Sequence, residues 1–501
     1  MPKTKKPILK HPVILLLKSF SEEEILGLKE FLHSVYYNTN KKIVFLYESL
    51  IFFYPEFNDR NLTHEYLWDS INTKKNISYD ELRVYLSKLQ TLTLEFLKVN
   101  YFAKNNFEGE LGLLKELSER HQVELFQKKI NKTKSWPELE LEGNDCYRKK
   151  YLISTEKLNF LTNNFQILKN KEIKYGIEAI NEVSVNLCNF YITDLICEFI
   201  QSYNFLKNYQ NDYSDSLVND LIKSLNLDNL MNIYAKHSKD YFILLVYKKL
   251  LELINDDDIK RYYDYKKIVE ENFDKMSKDE LYFHFSNMIS YCIHEKFKAS
   301  NQNQSKFQIE LFELYEKYLT HKMFIISETI YIDFNIFRNI LMNALTLKKL
   351  SWAENFVDTY VNYLNPKYQV NLLNYSKAII SNRRANYDES LNYASKVDID
   401  NFIFKHDLNF LKLKNYYSTG DFDGIIHLIH SHRELLRVDK LLTKDFYIKY
   451  NKFLFYAEKL ILNHDSKKKL EFNLHKLQTE NVSYANWLIE KYTKRLKELK
   501  K

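Results

Sequence analysis

His294-Glu295 opens like the HExxH pattern, which sets two imidazoles on one helical face to hold zinc. The fifth position is Lys298, so the second ligand is missing. His427, His430 and His432 form the densest histidine cluster of the chain. The first two share a helical face at i, i+3, the third points elsewhere, and no cysteine lies near in sequence to complete a structural zinc set. A partly exposed, histidine-rich helix is the expectation. Asp256-Asp257-Asp258 crowds three carboxylates, but successive residues point in different directions, whereas magnesium gathers separated carboxylates with substrate phosphates. A solvated helix N-terminus, where acidic groups complement the macrodipole, fits better. Phosphate-cradling loops and nucleophile elbows both require glycine. The seven glycines (Gly27, Gly109, Gly112, Gly143, Gly176, Gly420 and Gly424) begin no GxxxxGK or GxGxxG, and no GxSxG occurs. Nucleotide-loop and hydrolase-elbow chemistry is thereby excluded. The sequence predicts a non-catalytic chain without cofactor or metal. Dispersed carboxylates gathered by the fold are the remaining route to an active site.

Any such residues must be positioned by helices. A chain of 501 residues exceeds what one hydrophobic core usually serves, and 45% hydrophobic residues give it enough to bury. Only 7 Gly and 6 Pro occur, several-fold below the roughly 7% and 5% of average usage. Hairpins, bulges and α/β crossovers consume glycine, and long helices joined by polar turns do not. The 39 Tyr and 34 Phe suit helix–helix interfaces where a hydroxyl reaches water. The net charge of +7 is small against 73 basic residues. Basic residues gather at Lys3, Lys5, Lys6 and Lys10 and from Lys491 to Lys501, where cations complement the end of a helix, so no strong nucleic-acid footprint emerges. Cys146, Cys188, Cys197 and Cys292 lack CxxC spacing and read as free thiols of a reducing compartment. Val13–Leu17 is too short for a signal-peptide core, and no stretch approaches the ~20 apolar residues of a membrane helix. A cytoplasmic location, with no membrane partner, is expected.

Helix starts are legible. Ser21-Glu22-Glu23-Glu24 is a capping box before an apolar face of Ile25, Leu28, Leu32, Val35 and Tyr36. Ser78-Tyr79-Asp80-Glu81 precedes Leu82, Tyr85, Leu86, Leu89 and Phe96, and Ser351-Trp352-Ala353-Glu354 opens a helix expected to stop near Asn365-Pro366. No proline lies between Pro137 and Pro366, so breaks there fall at polar turns such as Lys169–Glu172 and Ser300–Asn303. The predicted fold is all-α, antiparallel helical hairpins stacked as a repeat or solenoid-like array. Five segments follow: 1–105, an N-terminal helical block; 106–143, a polar connector with helix; 144–330, a middle helical region; 331–436, the repeats; and 437–501, closing helices.

Within residues 337–436, Ala378, Tyr387 and Ser390 occupy small, aromatic and small positions, and Gly420 and Phe422 supply a turn and the next aromatic 35 residues after Tyr387. Leu350, Ala353 and Pro366 occupy comparable places one unit earlier. This region resembles degenerate tetratricopeptide repeats, helix–turn–helix units of 34 residues. It departs from that pattern at Ile425 and Ala394 and lacks the turn glycine in the first two units. In such repeats the first helix of each unit lines the concave face. The resemblance therefore implies that Tyr375, Asn382, Arg383, Lys414 and Tyr417 line it, an aromatic and basic groove suited to an acidic or carboxylate-bearing peptide.

The leading expectation is a helical-repeat scaffold binding a protein or peptide partner. The alternative is a nucleic-acid-associated regulator using the N-terminal block, where a helix near Thr63–Ile71, a turn and a helix from Ser78 to Gln90 mimic helix-turn-helix spacing. Asp80 and Glu81 would then meet phosphates, offset within that helix only by Arg83 and Lys88, so nucleic acid is the less favoured partner.

Overall fold

The structure is a computed structural model. It describes residues 11–71, 79–104, 106–133, 136, 139, 141–164, 171–208, 217–237, 242–256, 258–298, 301–326, 331–398, 401–438, 444–480 and 482–499. The protein is all-α. Among the described residues there are 24 α-helices and no strand, only two isolated parallel bridges, Glu142 with Met276 and Ile332 with Leu364. By contact the chain divides into two compact units. The first comprises residues 1–134 and 156–173, and the second comprises 135–155 and 174–501.

The first unit contains α1 (Pro12–Lys18), α2 (Glu22–His33), α3 (Lys41–Ile51), α4 (His64–Ile71), α5 (Tyr79–Lys104), α6 (Asn106–Glu119) and α7 (Val123–Thr133), with the end of α8 (Asn144–Asn163). Local chemistry starts the first helices. His11 accepts from the Val13 amide beside Pro12 at N1, and Ser21 and Glu24 complete the expected capping box of α2. Leu28 and Leu32 are buried as the periodicity requires, with Leu46, Trp68, Leu82, Leu86 and Leu89 in the same core. Val35 and Tyr36 are not on that face. The helix ends at His33, and both residues lie largely in solvent beyond it. Phe126 and Phe160 stack at 3.8 Å in a smaller satellite core. The second capping box begins at Ser78, which lies outside the described residues.

The second unit contains α9 (Lys171–Asn208), α10 (Leu217–Ser224), α11 (Leu227–His237), α12 (Phe242–Asp256), α13 (Ile259–Glu271), α14 (Lys278–Lys298) and α15 (Asn301–Thr320). It continues through α16 (Phe334–Thr346), α17 (Leu350–Tyr360), α18 (Pro366–Arg383), α19 (Tyr387–Ser395), α20 (Phe402–Thr419) and α21 (Phe422–Val438), and closes with α22 (Lys444–Leu462), α23 (Lys467–Thr479) and α24 (Ala485–Glu498). Neighbouring helices pack in pairs along the chain, α14 with α15 and α18 with α19 most extensively, and α22, α23 and α24 pack on one another. Within α9, Gly176–Asn204 is long and apolar enough to cross a membrane by length and composition, which corrects the expectation that no stretch reaches that threshold. Ile192, Ile196 and Ile200 of this helix are buried in the core of the second unit.

Three successive pairs, α16–α17, α18–α19 and α20–α21, share one turn. Lys348, Ala385 and Gly420 each adopt the left-handed conformation, at φ 59°, 63° and 81°. The following amide donates five residues back in every case, Lys349 to Ala344, Asn386 to Ser381 and Asp421 to Tyr416, all at 2.9 Å. This is the Schellman arrangement, which satisfies the last carbonyls of a helix. Two non-glycine residues hold the position that Gly420 holds in the third turn. Ala353, Ser390 and Ile425 then sit buried three residues into each second helix, and the Ser390 hydroxyl donates to the Ala378 carbonyl at 2.7 Å.

Two boundary expectations are corrected here. Ser351 is not a cap, because the turn at Lys348 starts α17 at Leu350 with Lys349 as an N-cap that makes no side-chain bond. Pro366 opens α18 rather than ending α17. It occupies N1, and Asn365 caps by accepting from the Lys367 amide.

Candidate functional site

The residues implied by the repeat resemblance surround a carboxylate that the resemblance does not point to. Asp407, in the second turn of α20, is 5% exposed. Arg338 of α16 reaches it with two prongs, Nε to Oδ2 at 2.5 Å and Nη2 to Oδ1 at 2.8 Å. The Tyr375 hydroxyl of α18 donates to Oδ2 at 2.6 Å, and the Tyr484 hydroxyl, from the residue preceding α24, donates to Oδ1 at 3.0 Å. Burial alone would raise the pKa of this carboxyl. The guanidinium and the two hydroxyls outweigh burial and hold it below the ordinary carboxylate range. A buried charge persists only when its lone pairs are filled in this way. Burial, followed by the Asp407 charge, pushes both tyrosines well above their ordinary range. Asp407 therefore ties the first helices of three successive pairs to the residue that precedes the last helix.

Tyr375 is fully buried beneath this carboxylate and presents no surface. Asn382 is half-buried and donates to Asn415 at 2.6 Å, and Asn415 donates on to Ser390 at 2.8 Å. Arg383 is exposed on the last turn of α18. Lys414 is half-buried on α20 with its ammonium 3.7 Å from the Tyr484 ring centre, a close cation–π contact. Burial and then the neighbouring Arg383 charge lower Lys414 to about 7. Tyr417 is half-buried edge-on to Trp487 at 5.4 Å, and burial raises its hydroxyl. The structure thus places Lys414 and Tyr417 one turn apart on α20, with the Arg383 charge acting on Lys414, and puts Tyr375 and Asn382 in the supporting layer. Among the described residues, neither Arg383 nor Lys414 has a carboxylate partner in an ion pair.

Next to Asp407, His406 meets His432 of α21, Nδ1 to Nε2 at 2.8 Å with the rings stacked. His432 is buried, its Nδ1 has no hydrogen-bond partner among the described residues, and burial with the His406 charge lowers it to about 3. His427 and His430 are exposed, so the sequence cluster separates as its spacing requires. No group of three metal-capable side chains occurs among the described residues. Asp258 caps α13 by accepting from the Lys260 amide, as expected of a helix N-terminus, and Asp257 lies outside the described residues.

A second buried polar group was invisible in sequence. His284 contacts Glu280 through Nε2 at 2.9 Å and the Tyr265 hydroxyl through Nδ1 at 2.7 Å. The other Glu280 oxygen accepts from the Asn144 amide at 3.0 Å, pinning the start of α8 to α14. All three side chains are buried among apolar neighbours, so the group reads as a structural clasp. In the first unit, Arg83 and Lys88 line a shallow open groove along α5 with Asp80, Val84, Ser87 and Thr91. The nucleic-acid alternative would gain if Lys74 and Lys75 shared one exposed patch with Arg83 and Lys88, but Lys74 and Lys75 lie outside the described residues.

What the fold and site define, among the described residues, is an all-α helical array with a buried ionic hub beside a half-buried lysine and an exposed arginine. No protein-family model matches the chain, and no curated protein matches it either.

Proposed function

We propose that the protein is a non-catalytic helical-repeat scaffold that binds a protein or peptide partner through an acidic segment at Arg383 and Lys414. The observation that carries this reading is that these two cations sit close enough to repel one another while, among the described residues, neither makes an ion pair with a carboxylate, Asp407 attracting Lys414 only at longer range. Two like charges held together cost stability unless something else repays it, and a bound carboxylate does so on association. Tyr417 adds ring surface beside Lys414, and the Asn382–Asn415 bond ties α18 to α20 beneath the site. The Asp407 hub fixes the relative positions of α16, α18 and α20, which gives a surface site the rigid base that recognition requires.

The test is co-purification from native cells, with nuclease treatment, of the wild type and an Arg383→Glu/Lys414→Glu variant. A stoichiometric protein that survives nuclease and is lost from the variant supports the reading. Partners that disappear on nuclease digestion and are indifferent to the variant would overturn it in favour of a nucleic-acid role for the first unit.

A further inference from the structure

The proposed site is not open in this structure, because part of the chain's own C-terminal region lies on it. Tyr484 covers Lys414 with its ring at 3.7 Å, the closest cation–ring contact among the described residues. Trp487, one turn further on, packs edge-on against Tyr417 at 5.4 Å. Two of the residues expected to meet a partner are therefore met by residues 484 and 487. We propose that Tyr484–Trp487 is a latch that occupies the acidic-segment site and must swing away for a partner to bind, an inference that rests on the site reading above.

Three features distinguish a latch from a permanent seal. The first is chemical. An aromatic face satisfies a lysine ammonium less fully than a carboxylate does, since it offers a quadrupole instead of a full charge, so an acidic segment outcompetes the ring it displaces. The second is that release leaves the buried hub intact. Tyr484 gives Asp407 the longest of its four hydrogen bonds, at 3.0 Å, while the two Arg338 bonds and the Tyr375 bond remain when it leaves. No uncompensated buried charge is created by opening. The third is conformational. Tyr484 sits in the left-handed region at φ 54°, with no side-chain hydrogen bond capping α24. A bulky L-residue is strained there, and that strain is relieved when the segment lets go. Val482 stays buried in the core on one side and α24 is held by α22 and α23 on the other, so the closing helices keep a base while Tyr484 and Trp487 leave Phe410 and Phe453.

The test uses the full chain and a fluorescein-labelled hexaglutamate peptide followed by anisotropy. A latch that is mostly closed taxes affinity by the fraction of molecules open. Tyr484→Ala/Trp487→Ala should therefore bind the peptide roughly tenfold more tightly than wild type, and Tyr484→Phe, which keeps the ring and loses only the Asp407 bond, about threefold more tightly. Equal or weaker binding by both variants, with the wild type binding, overturns the latch and makes residues 484 and 487 part of the binding surface. Hydrogen exchange on the wild type reads the latch without ligand. Amides at the start of α24 should exchange at least about tenfold faster than those of α20, through local opening. Equal exchange overturns the latch and leaves the site reading standing. Failure of the peptide to bind the wild type and both variants overturns the site reading, and the latch with it.

Discussion

Arg338 and Asp407 face each other across 69 residues of sequence in a two-pronged ion pair whose carboxylate is almost wholly buried. Pairs of this kind are weak net contributors when intact, because desolvation of both charges offsets their attraction. Their asymmetry is what can be measured. Removing Arg338 leaves Asp407 charged and buried with only two tyrosine hydroxyls, whereas removing both charges leaves a cavity and two hydroxyls. Arg338→Met should cost about 3–5 kcal/mol of stability in urea unfolding, and Arg338→Met/Asp407→Leu should recover at least about half of that loss. If the double variant is less stable than the single, the pair is a net stabiliser and the hub argument fails.

The same hub region makes stability depend on pH, and the sign follows from His432. Its folded value is lowered to about 3 from an ordinary 6.5, so the unfolded chain binds the proton first as pH falls. The neutral, buried ring contributes fully above pH 6.5, and that contribution declines as pH falls toward 3. Asp407 works in the same direction but lower, since its carboxyl is held below the ordinary 3.8 and its contribution is lost only as pH falls through that depressed value. Between pH 6.5 and 4.5 the slope therefore belongs to His432 rather than Asp407. Melting temperature measured over that window should fall with pH in the wild type and fall less steeply in His432→Phe, where His11, also lowered by burial, keeps its share; up to about 1.4 kcal/mol per pH unit is at stake. An unchanged slope in the variant would assign the acid sensitivity elsewhere.

Gly143 is required by a close approach. A Cβ there would stand 2.9 Å from Glu280 Oε2 and 3.0 Å from the Ser277 hydroxyl. The carboxylate belongs to the clasp that joins Glu280 to the Asn144 amide and to His284, and the Ser277 hydroxyl accepts from the Glu280 amide at 3.2 Å. Gly143→Ala must push the carboxylate away from one of these partners and leave a buried acceptor or donor unmet. A loss of about 2 kcal/mol is expected, and Gly143→Ala/Glu280→Gln should cost less than the two single variants summed, since both act on one contact. Additive losses in urea unfolding would show that the glycine and the clasp are independent.

Much of the helical architecture can be read from composition and local signals, and much of the site cannot. Scarcity of glycine and proline identifies an all-α chain, and the Ser21–Glu24 box is local chemistry within four residues, so both survive contact with the structure. Pro366 misleads because proline is favoured both just after a helix and at the first position of the next, and only the Asn365 cap decides between them. Val35 and Tyr36 continue the periodicity of α2 past its end, which the pattern alone does not mark. Asp407, Arg338 and Tyr484 carry no local signature at all. Their partners lie 69 and 77 residues away, and one aspartate among 66 acidic residues is marked only by what the fold places beside it. Tyr375 was expected at a surface because its first-helix position implies one, but its hydroxyl is spent on that carboxylate.

The three shared turns make a cleaner prediction than any buried group, because their cost is conformational. A Cβ at Gly420 meets nothing within 4 Å, so Gly420→Ala is opposed only by φ 81°. About 1 kcal/mol of destabilisation is expected. Ala385 holds the same place at φ 63°, and Ala385→Gly should stabilise by about 0.5 kcal/mol, the relief of strain exceeding the added freedom of the unfolded chain. Opposite signs at equivalent positions, read by urea unfolding, would support the shared turn. The same sign at both would refute it.

Lys414 supplies the functional counterpart of these stability tests. Burial and the Arg383 charge bring it to about 7, so the free protein loses this cation as pH rises through neutrality, while Arg383 stays charged throughout. A bound carboxylate favours the charged form, so the complex keeps its proton to higher pH than the free protein does. The dissociation constant for the hexaglutamate peptide should therefore be flat below pH 6.5 and rise up to about tenfold per pH unit above 7, until the complex itself deprotonates. Lys414→Arg keeps a charge that does not titrate in this range, and its profile should be flat from pH 6 to 8.5. Asp407 and Tyr484, the other polar groups facing Lys414, do not imitate the effect, since one carboxyl is held below the ordinary carboxylate range and the phenol well above its own. A wild-type profile as flat as that of Lys414→Arg would remove Lys414 from the recognition of the acidic segment and leave Arg383 to account for it alone.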